Sequence, residues 1–182
     1  MKVAIIGSGI VGLTLAHTLT EKNIEVTIFE KEKDSLSHGT GRNSGVIHSG
    51  IYYQPNTLRS NLCIKGAKLM KKFIVDNNLY INNCGKLLLP KTKNDIETLK
   101  LLYERSKEVG VEAQKLNSIE EITRIEPNCN PLYNDALFIK DTAIADPKEV
   151  SNKLIEILKK RNVIIKYGFK VDEISSENTS IT

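Results

Sequence analysis

The stretch "KVAIIGSGIVGLTLAHTL", residues 2–19, decides the fold. Its apolar, β-branched opening stops at Gly7, and apolar residues at helical spacing begin at Ile10, which predicts a buried strand followed at once by a helix. A second run rich in β-branched residues, "EVTIFE", occupies residues 25–30. A strand, a helix and a strand in so short a stretch form a compact β-α-β unit with a right-handed crossover.

The turn between the first strand and the helix carries the pattern G-x-G-x-x-G. In such a turn Gly7 permits the tight bend, Gly9 lets the backbone approach a pyrophosphate, and Gly12 lets helix and strand pack closely. The N–H groups at the helix N-terminus, those of Ile10 and Val11 among them, attract phosphate oxygens. The pattern therefore predicts dinucleotide binding, and glycines with a purely structural role are the alternative.

The end of the second strand supplies the rest of this fingerprint. Glu30 stands where a carboxylate accepts hydrogen bonds from the ribose hydroxyls, and its charge repels a 2′-phosphate, which disfavours NADP. Lys31 is a candidate for contact along the adenosine, with a solvated surface lysine as the alternative. The fingerprint fits NAD and FAD equally. A glycine-rich polar loop over residues 31–56, in place of further short β-α repeats, favours FAD, whose second half needs contacts beyond the first pyrophosphate site.

The composition is that of an ordinary globular protein of 182 residues, 40% of them hydrophobic, with a net charge of +4. So small a charge argues against nucleic-acid binding, while the lysine-rich stretch 65–73 leaves contact with an acidic membrane surface as an alternative to a solvated helix face. Three widely spaced cysteines argue against disulfides and a metal site and for a reducing compartment. No apolar run approaches the about 20 residues that span a bilayer. We therefore predict a cytoplasmic protein, with peripheral contact to an inner membrane as the open variant.

Helices and strands are predicted along the rest of the chain: helices at 57–77, 95–109, 118–126 and 145–162, and strands at 85–90, 136–139, 163–167 and 170–174. In the first of these helices the candidate core residues are Leu58, Leu62, Leu69, Phe73 and Ile74. Ser118 and Glu121 have the capping-box form. The last strand runs into a polar turn, and residues 181–182 resemble the start of a partner strand. We expect a fragment of a longer protein, a split gene with its C-terminal half on a separate chain, or a disordered tail.

These residues resemble a known family. The opening stretch is similar to the flavoproteins that include D-amino-acid oxidase, glycine oxidase and glycerol-3-phosphate dehydrogenase. The stretch "GRNSGVIHSGIYYQPNTLRSNLCIKG", residues 41–66, resembles the corresponding part of the L-2-hydroxyglutarate oxidases and dehydrogenases. "EPN" (126–128), "ADP" (145–147) and "VIIKYGFKVDEI" (163–174) fit as well, so the likeness covers essentially the whole chain.

The resemblance implies an α/β fold (α+β overall), with a Rossmann-like FAD-binding domain and the start of a mixed-sheet substrate domain. Residues 1–80 would form the first segment of the FAD-binding domain, and residues 81–144 part of the substrate domain. Residues 145–182 would form a second, truncated segment of the FAD-binding domain. Members of the family are much longer than this chain, which agrees with a fragment.

The resemblance also assigns roles to individual residues. Arg42, Asn43 and Ser44 would hydrogen-bond the FAD pyrophosphate and the flavin ring. A turn in which asparagine and serine bond only to local backbone is the alternative. Val171, in the adenine-side strand, would bond adenine through its backbone.

His48 is the predicted catalytic residue. Oxidation of a 2-hydroxy acid removes the hydroxyl proton while hydride leaves Cα for flavin N5, and an imidazole, which titrates near neutral pH, can act as the base. Contact with flavin or substrate and a purely structural role are the alternatives.

The predicted function is FAD-dependent oxidation of a small-molecule 2-hydroxy acid, L-2-hydroxyglutarate foremost, to its 2-oxo acid, with oxygen or a membrane quinone as electron acceptor. Two alternatives stay open. One is an FAD-dependent oxidoreductase that acts on an amino acid or glycerol phosphate. The other is an inactive fragment or one piece of a split flavoenzyme.

Overall fold

The computed structural model describes residues 1–177 and 180–181. The helices are α1 (Ile10–Glu21), α2 (Leu58–Asp76), α3 (Lys93–Val109), α4 (Ile119–Ile125) and α5 (Pro147–Lys160). The strands are β1 (Lys2–Ile6), β2 (Glu25–Glu30), β3 (Val46–Ile47), β4 (Ile81–Asn82), β5 (Lys86–Leu88), β6 (Ala113–Leu116), β7 (Ala136–Ile139), β8 (Ala143–Ala145), β9 (Ile164–Tyr167), β10 (Ser176–Glu177) and β11 (Ser180–Ile181). Across these residues no helix has the length and hydropathy to cross a membrane.

The chain divides into two compact units, one made of Met1–Ser44 with Asp146–Thr182 and the other of Gly45–Ala145. The boundary after Ser44 lies earlier in the chain than the domain limit predicted at residue 80. It falls earlier because β3 and β4 both pair with β8, which places them inside the second unit. The assignment of the two units to FAD and to substrate stays a prediction.

The first unit contains a parallel sheet in the order β1-β2-β9. The register sets Ile5 beside Ile28 and Ile28 beside Ile165. Ile5 and Ile28 are buried, as are Leu13 of α1 and Leu154 of α5, and the two helices also contact each other. One face of the sheet is therefore covered by helices, and the predicted α/β fold class is confirmed.

The second unit contains short antiparallel sheets of the orders β3-β8-β4 and β5-β7-β6. Its larger core cluster consists of Ile51, Leu102, Val111, Leu137 and Ile139. A smaller cluster joins α4 to β6 and β7 through Leu116, Ile122 and Ala136. This unit is α+β in character.

The start of α5 follows the sequence prediction. Asp146 Oδ1 accepts hydrogen bonds from the N–H groups of Lys148 at 2.7 Å and Glu149 at 3.4 Å. Pro147 takes the first helical position, where its missing N–H costs no helical hydrogen bond. The polar cap thus places the helix start correctly from sequence alone.

The start of α4 follows the prediction in one half only. Ser118 Oγ accepts a hydrogen bond from the Glu121 N–H at 3.1 Å, as the capping-box form predicts. The Glu121 carboxylate, however, accepts from the N–H of Asn117 at 2.8 Å, one residue before the expected donor. The side chain reaches back past the cap residue.

The predicted core of α2 is wrong at several positions. Leu58, Leu62 and Leu69 are 74%, 58% and 58% exposed, whereas Ile74 is fully buried. Ile64, from another stripe of the helix, packs against the larger core cluster. The helix carries apolar residues on more than one side, so contacts with the rest of the unit select the buried face.

The predicted strand at residues 170–174 is also wrong. β9 ends just before Gly168, which takes a left-handed φ of 68°. The N–H groups of Gly168 and Phe169 donate to carbonyls at and just after the end of β2, both at 2.8 Å, and the chain then leaves the sheet. β10 and β11 then pair in the antiparallel direction, so part of the polar turn predicted at residues 175–180 lies in strands. Residues 178–179 and the end of the predicted partner strand, Thr182, lie outside the described residues.

Gly12 lies where α1 passes close to β1. A Cβ built on Gly12 collides with the carbonyl oxygen of Gly7 and lies 3.3 Å from Ile5 Cγ2. Gly7 has a φ of 100°, which residues with a side chain rarely adopt. These two glycines are therefore required for the turn itself, whether or not a ligand binds.

We expect Gly12→Ala to lower the free energy of unfolding by about 1–3 kcal/mol or more, because the Gly7 carbonyl cannot move away without displacing α1 from the sheet. Urea denaturation followed by circular dichroism measures this change. The matched control is Gly66→Ala in α2, where a Cβ has nothing within 4 Å, and it should raise the free energy of unfolding by about 0.5–1 kcal/mol. A Gly12→Ala protein as stable as the parent would contradict the packing argument.

Candidate cofactor site

The N-terminus of α1 is open to an anion. Gly9 is the N-cap and has no side chain to accept a hydrogen bond from the first helical turn. The Ile10 N–H donates to Thr40 Oγ1 at 3.0 Å, while the N–H groups of Val11 and Gly12 have no partner inside the helix, as in the first turn of every α-helix. These donors, with the positive end of the helix dipole, favour a phosphate at this position.

Thr40 is a site residue that the sequence analysis missed. It lies in the 3₁₀ turn Gly39–Gly41, and its Oγ1 lies 3.1 Å from a Cβ built on Gly9. The loop that leaves β2 therefore closes against the glycine turn through this hydroxyl. The available signal was a threonine within a glycine-rich loop that follows a dinucleotide fingerprint.

Glu30 ties the end of β2 to the glycine turn. Glu30 is 8% exposed, and its Oε2 accepts hydrogen bonds from the Ser8 N–H at 2.8 Å and from the Ser8 hydroxyl at 3.0 Å. Its Oε1 accepts from the N–H of Glu32 at 2.9 Å. A carboxylate oxygen has two acceptor positions, so Oε1 retains capacity for a ribose hydroxyl.

The hydrogen bonds around Glu30 control its ionisation. Burial alone would raise the pKa of Glu30, but donation from the Glu32 N–H and from the Ser8 N–H and hydroxyl holds that pKa below its ordinary value. The ionised carboxylate therefore stabilises the folded chain above the pKa that Glu30 has when unfolded. This contribution is lost as the pH falls through the lower, folded-state pKa.

Lys31 lies on the surface next to the Glu32 carboxylate. Its Nζ lies 3.7 Å from Glu32 Oε1, with its side chain 58% exposed. His38 Nε2 lies 2.8 Å from the same oxygen. The position of Lys31 fits the alternative of a solvated surface lysine, and its contact with adenosine stays a prediction.

Arg42, Asn43 and Ser44 are all exposed. Asn43 Nδ2 donates to the carbonyls of Gly39 at 3.1 Å and Thr40 at 2.9 Å, so it holds the 3₁₀ turn, as the local-bonding alternative anticipated. Within the part of the chain that the structure describes, the Arg42 guanidinium makes no hydrogen bond or ion pair. Its donors are therefore available to a ligand.

The described structure assigns His48 to the second unit, whereas the glycine turn and Glu30 belong to the first. The His48 side chain is exposed, and its backbone carbonyl accepts from Cys63 Sγ at 3.6 Å. Val171 is half-buried and follows the bend at Gly168, outside any strand. The proposed roles of His48 and Val171 stay predictions.

Residues 2–182 match the protein family described as FAD dependent oxidoreductase. Among solved structures, dithionite-reduced L-α-glycerophosphate oxidase from Mycoplasma pneumoniae, with FAD bound, superposes with a TM-score of 0.83 at 27% identity. The superposition covers 97% of this chain and 47% of that chain.

Two curated relatives of this chain are both named L-2-hydroxyglutarate dehydrogenase. The L-2-hydroxyglutarate dehydrogenase of Escherichia coli is 33% identical over 179 residues, which are 97% of this chain and 42% of the relative. The mitochondrial L-2-hydroxyglutarate dehydrogenase of Dictyostelium discoideum is 43% identical over 152 residues, 82% of this chain and 34% of the relative. The chain thus spans less than half the length of these relatives.

We expect Glu30→Gln to lower the free energy of unfolding by about 1.5–3 kcal/mol at neutral pH, the usual worth of hydrogen bonds to a charged group. Because the folded-state pKa of Glu30 is lowered, the difference from the parent protein should shrink as the pH falls from the pKa that Glu30 has when unfolded through its lower folded-state pKa. Urea denaturation at several pH values measures both effects.

The matched control is Glu25→Gln at the other end of β2, where the Glu25 side chain is 65% exposed and pairs with Lys2 at 3.3 Å. A surface ion pair contributes about 0–1 kcal/mol, so this variant should unfold nearly as the parent does. Equal losses for the two variants, or a loss for Glu30→Gln that is the same at every pH, would show that Glu30 does not act through its charge.

Proposed function

This chain belongs to the FAD dependent oxidoreductase family, and from that premise we propose that it forms the FAD-binding part of an enzyme that oxidises L-2-hydroxyglutarate to 2-oxoglutarate. The observation that carries the proposal is the open N-terminus of α1 held beside the buried Glu30 carboxylate through Ser8. The substrate is inferred from the names of relatives at 33% and 43% identity.

The residues of the first unit fit the adenosine diphosphate half of FAD. The pyrophosphate would accept hydrogen bonds from the N–H groups of Val11 and Gly12, and the missing Cβ of Gly9 leaves room for it. Thr40 Oγ1 already accepts from the Ile10 N–H, so its own hydroxyl proton is free to be donated to a phosphate oxygen. Glu30 would accept a ribose hydroxyl through the capacity left on Oε1.

The loop after β2 would serve the rest of the cofactor. Arg42 would supply charge-assisted hydrogen bonds to the phosphates, and Ser44 a hydroxyl toward the flavin. Asn43 would act indirectly, by holding the 3₁₀ turn through its bonds to Gly39 and Thr40. Lys31 and the backbone of Val171 would flank the adenosine.

The proposed chemistry divides between the cofactor and this chain. FAD, when bound, supplies the acceptor for the hydride that leaves the substrate Cα. His48 would take the proton from the substrate hydroxyl, so that the O–H and Cα–H bonds break while the carbonyl of the 2-oxo acid forms. The protonated imidazole would then release its proton to solvent.

The electron acceptor and the location belong to the same proposal. We favour oxygen or a membrane quinone as the acceptor of the two electrons. We favour a cytoplasmic enzyme, with peripheral contact to the inner membrane in the quinone case.

A second candidate substrate is glycerol phosphate. The favouring observation is the TM-score of 0.83 at 27% identity with the L-α-glycerophosphate oxidase of Mycoplasma pneumoniae. The third candidate is a chain that binds FAD but oxidises no substrate without a second polypeptide. It is favoured by the length of the relatives, which are more than twice as long as the part that matches.

We expect the purified chain to take up FAD, measured as quenching of FAD fluorescence, and anaerobic L-2-hydroxyglutarate to bleach the visible flavin absorbance. The D enantiomer should leave the spectrum unchanged. Gly9→Leu should weaken FAD binding at least about tenfold, because its side chain fills the space for the pyrophosphate, whereas Gly66→Ala should bind FAD as the parent does. No uptake of FAD by the chain would contradict the cofactor site, and bleaching by glycerol 3-phosphate alone would favour the second candidate.

We expect His48→Ala to slow substrate-driven flavin reduction by about 10²–10⁴-fold, the usual contribution of a general base, while FAD retention stays unchanged. Anaerobic stopped-flow absorbance of the FAD-loaded protein measures the rate, and His38→Ala is the control from the other loop histidine. Loss of FAD with an unchanged reduction rate per bound flavin would assign His48 to cofactor binding in place of catalysis.

A further inference from the structure

Lys86, at the start of β5, differs from the other half-buried lysines of the described chain in having no polar partner. Of the lysines in residues 1–177 and 180–181, three are half-buried: Lys71, Lys86 and Lys153. Lys71 donates to a backbone carbonyl at 2.8 Å, and Lys153 pairs with a carboxylate at 3.0 Å. The Lys86 ammonium makes no hydrogen bond or ion pair with a described residue and lies over the Tyr52 ring, 4.7 Å from its centroid. A partly dehydrated ammonium with no anion beside it favours a negatively charged ligand.

Two arginines lie at the same pair of tyrosines as Lys86. The Arg105 guanidinium donates to the Tyr52 carbonyl at 2.8 Å, and the Arg59 guanidinium lies over the Tyr53 ring, 5.5 Å from its centroid. Neither arginine forms an ion pair with any residue that the structure describes. Three cations thus lie at Tyr52 and Tyr53, and in this part of the structure no carboxylate is paired with them. Such a group of like charges attracts an anion.

The packing of β5 holds Lys86 in place beside Tyr52. Lys86 pairs with Ile139 of β7, and side chains alternate between the two faces of a strand, so Lys86 shares a face with Leu88. Leu88 packs against the larger core cluster, to which Ile51 belongs. Lys86 therefore lies at the rim of that cluster, next to the segment that contains Ile51 and Tyr52.

The three cations lie close to the proposed base, His48, within the second unit. The segment from His48 to Tyr52 is tied to helices at both ends: the Cys63 thiol of α2 donates to the His48 carbonyl at 3.6 Å, and Arg105 of α3 donates to the Tyr52 carbonyl. The Cα atoms of His48 and Tyr52 lie at most about 14 Å apart, the length of four extended residues. Their long side chains and a small extended substrate together span such a distance.

We propose that Lys86 binds the second carboxylate of a dicarboxylic 2-hydroxy acid, the carboxylate that lies far from the reacting carbon. This inference rests on the proposed function, in which His48 takes the proton from the hydroxyl of L-2-hydroxyglutarate. The Lys86 ammonium donates charge-assisted hydrogen bonds to that carboxylate, and Arg59 and Arg105 add to the positive potential.

The consequence is a choice between substrates. A 2-hydroxy acid that ends in a methyl group leaves the Lys86 ammonium without a partner, and a site built to bind a polar group discriminates strongly against a ligand that lacks it. Lys86 is therefore a specificity-determining residue and takes no part in the transfer of the proton or the hydride.

Glutarate tests this site without any chemistry, because it has both carboxylates and no hydroxyl to oxidise. Titration of the full chain with glutarate, followed by NMR, should shift the amide signals of Tyr52 and Lys86 to saturation. Lys86→Met, which keeps most of the apolar stem, should weaken glutarate binding about 10–100-fold. Lys65→Met, at an exposed lysine of α2, should bind glutarate as the parent does. Lys86→Gln repeats the comparison if Lys86→Met does not fold.

Flavin reduction in the FAD-loaded chain provides the second measurement. Lys86→Met should raise the concentration of L-2-hydroxyglutarate that gives half-maximal reduction about 10–100-fold, with a much smaller effect on the limiting rate. The same variant should have much less effect with L-2-hydroxybutyrate, which has no second carboxylate.

Three results would overturn the proposal: no saturable shift with glutarate, equal effects of Lys86→Met and Lys65→Met, or tighter binding of glycerol 3-phosphate than of glutarate at Lys86. Glutarate binding requires neither FAD nor turnover, so failure here is distinguishable from failure of the proposed function. Binding that depends on Lys86, in a chain whose flavin L-2-hydroxyglutarate does not reduce, would contradict the proposed function alone. Flavin reduction by L-2-hydroxyglutarate that Lys86→Met leaves unaltered would contradict only the role of Lys86.

Discussion

The hydrogen bonds that the Glu30 carboxylate accepts from Ser8 are the constraint on which the first unit depends. They join the end of β2 to the turn after β1, and Ser8 is fully buried. In a buried site the carboxylate and its donors cannot replace these hydrogen bonds with hydrogen bonds to water, so the turn is held in place. The open end of α1 is thereby held beside the end of β2, which is where a dinucleotide binds in folds of this type.

The three glycines of the fingerprint differ in what they do. Gly12 is required by packing, because a Cβ would collide with the Gly7 carbonyl, and Gly7 is required by its φ of 100°. Gly9 has an ordinary φ, and a Cβ there would meet only the Thr40 hydroxyl at 3.1 Å. The middle glycine is therefore required neither by its φ nor by strand–helix packing, and its missing Cβ leaves room for the Thr40 hydroxyl that accepts from the Ile10 N–H.

The candidate site could be predicted from sequence only in its central part. The glycine turn, the end of α1 and Glu30 all lie where the fingerprint predicts, and they lie in one compact unit. Thr40 was missed, because its partner Ile10 lies in a different element and only the path of the loop brings them together. The role of Asn43 could not be chosen in advance, since local bonds and cofactor bonds use the same side-chain amide.

The sequence by itself determined β1, α1 and β2, the polar cap of α5 and the dinucleotide fingerprint. Strand periodicity, helix capping and glycine turns depend on residues a few positions apart, so they can be read locally. The tertiary structure alone decided which face of α2 is buried, that the chain bends at Gly168, and that the first segment of the first unit ends at Ser44. These features depend on which distant surfaces meet, since burial of an apolar side chain is favourable only where a partner surface covers it.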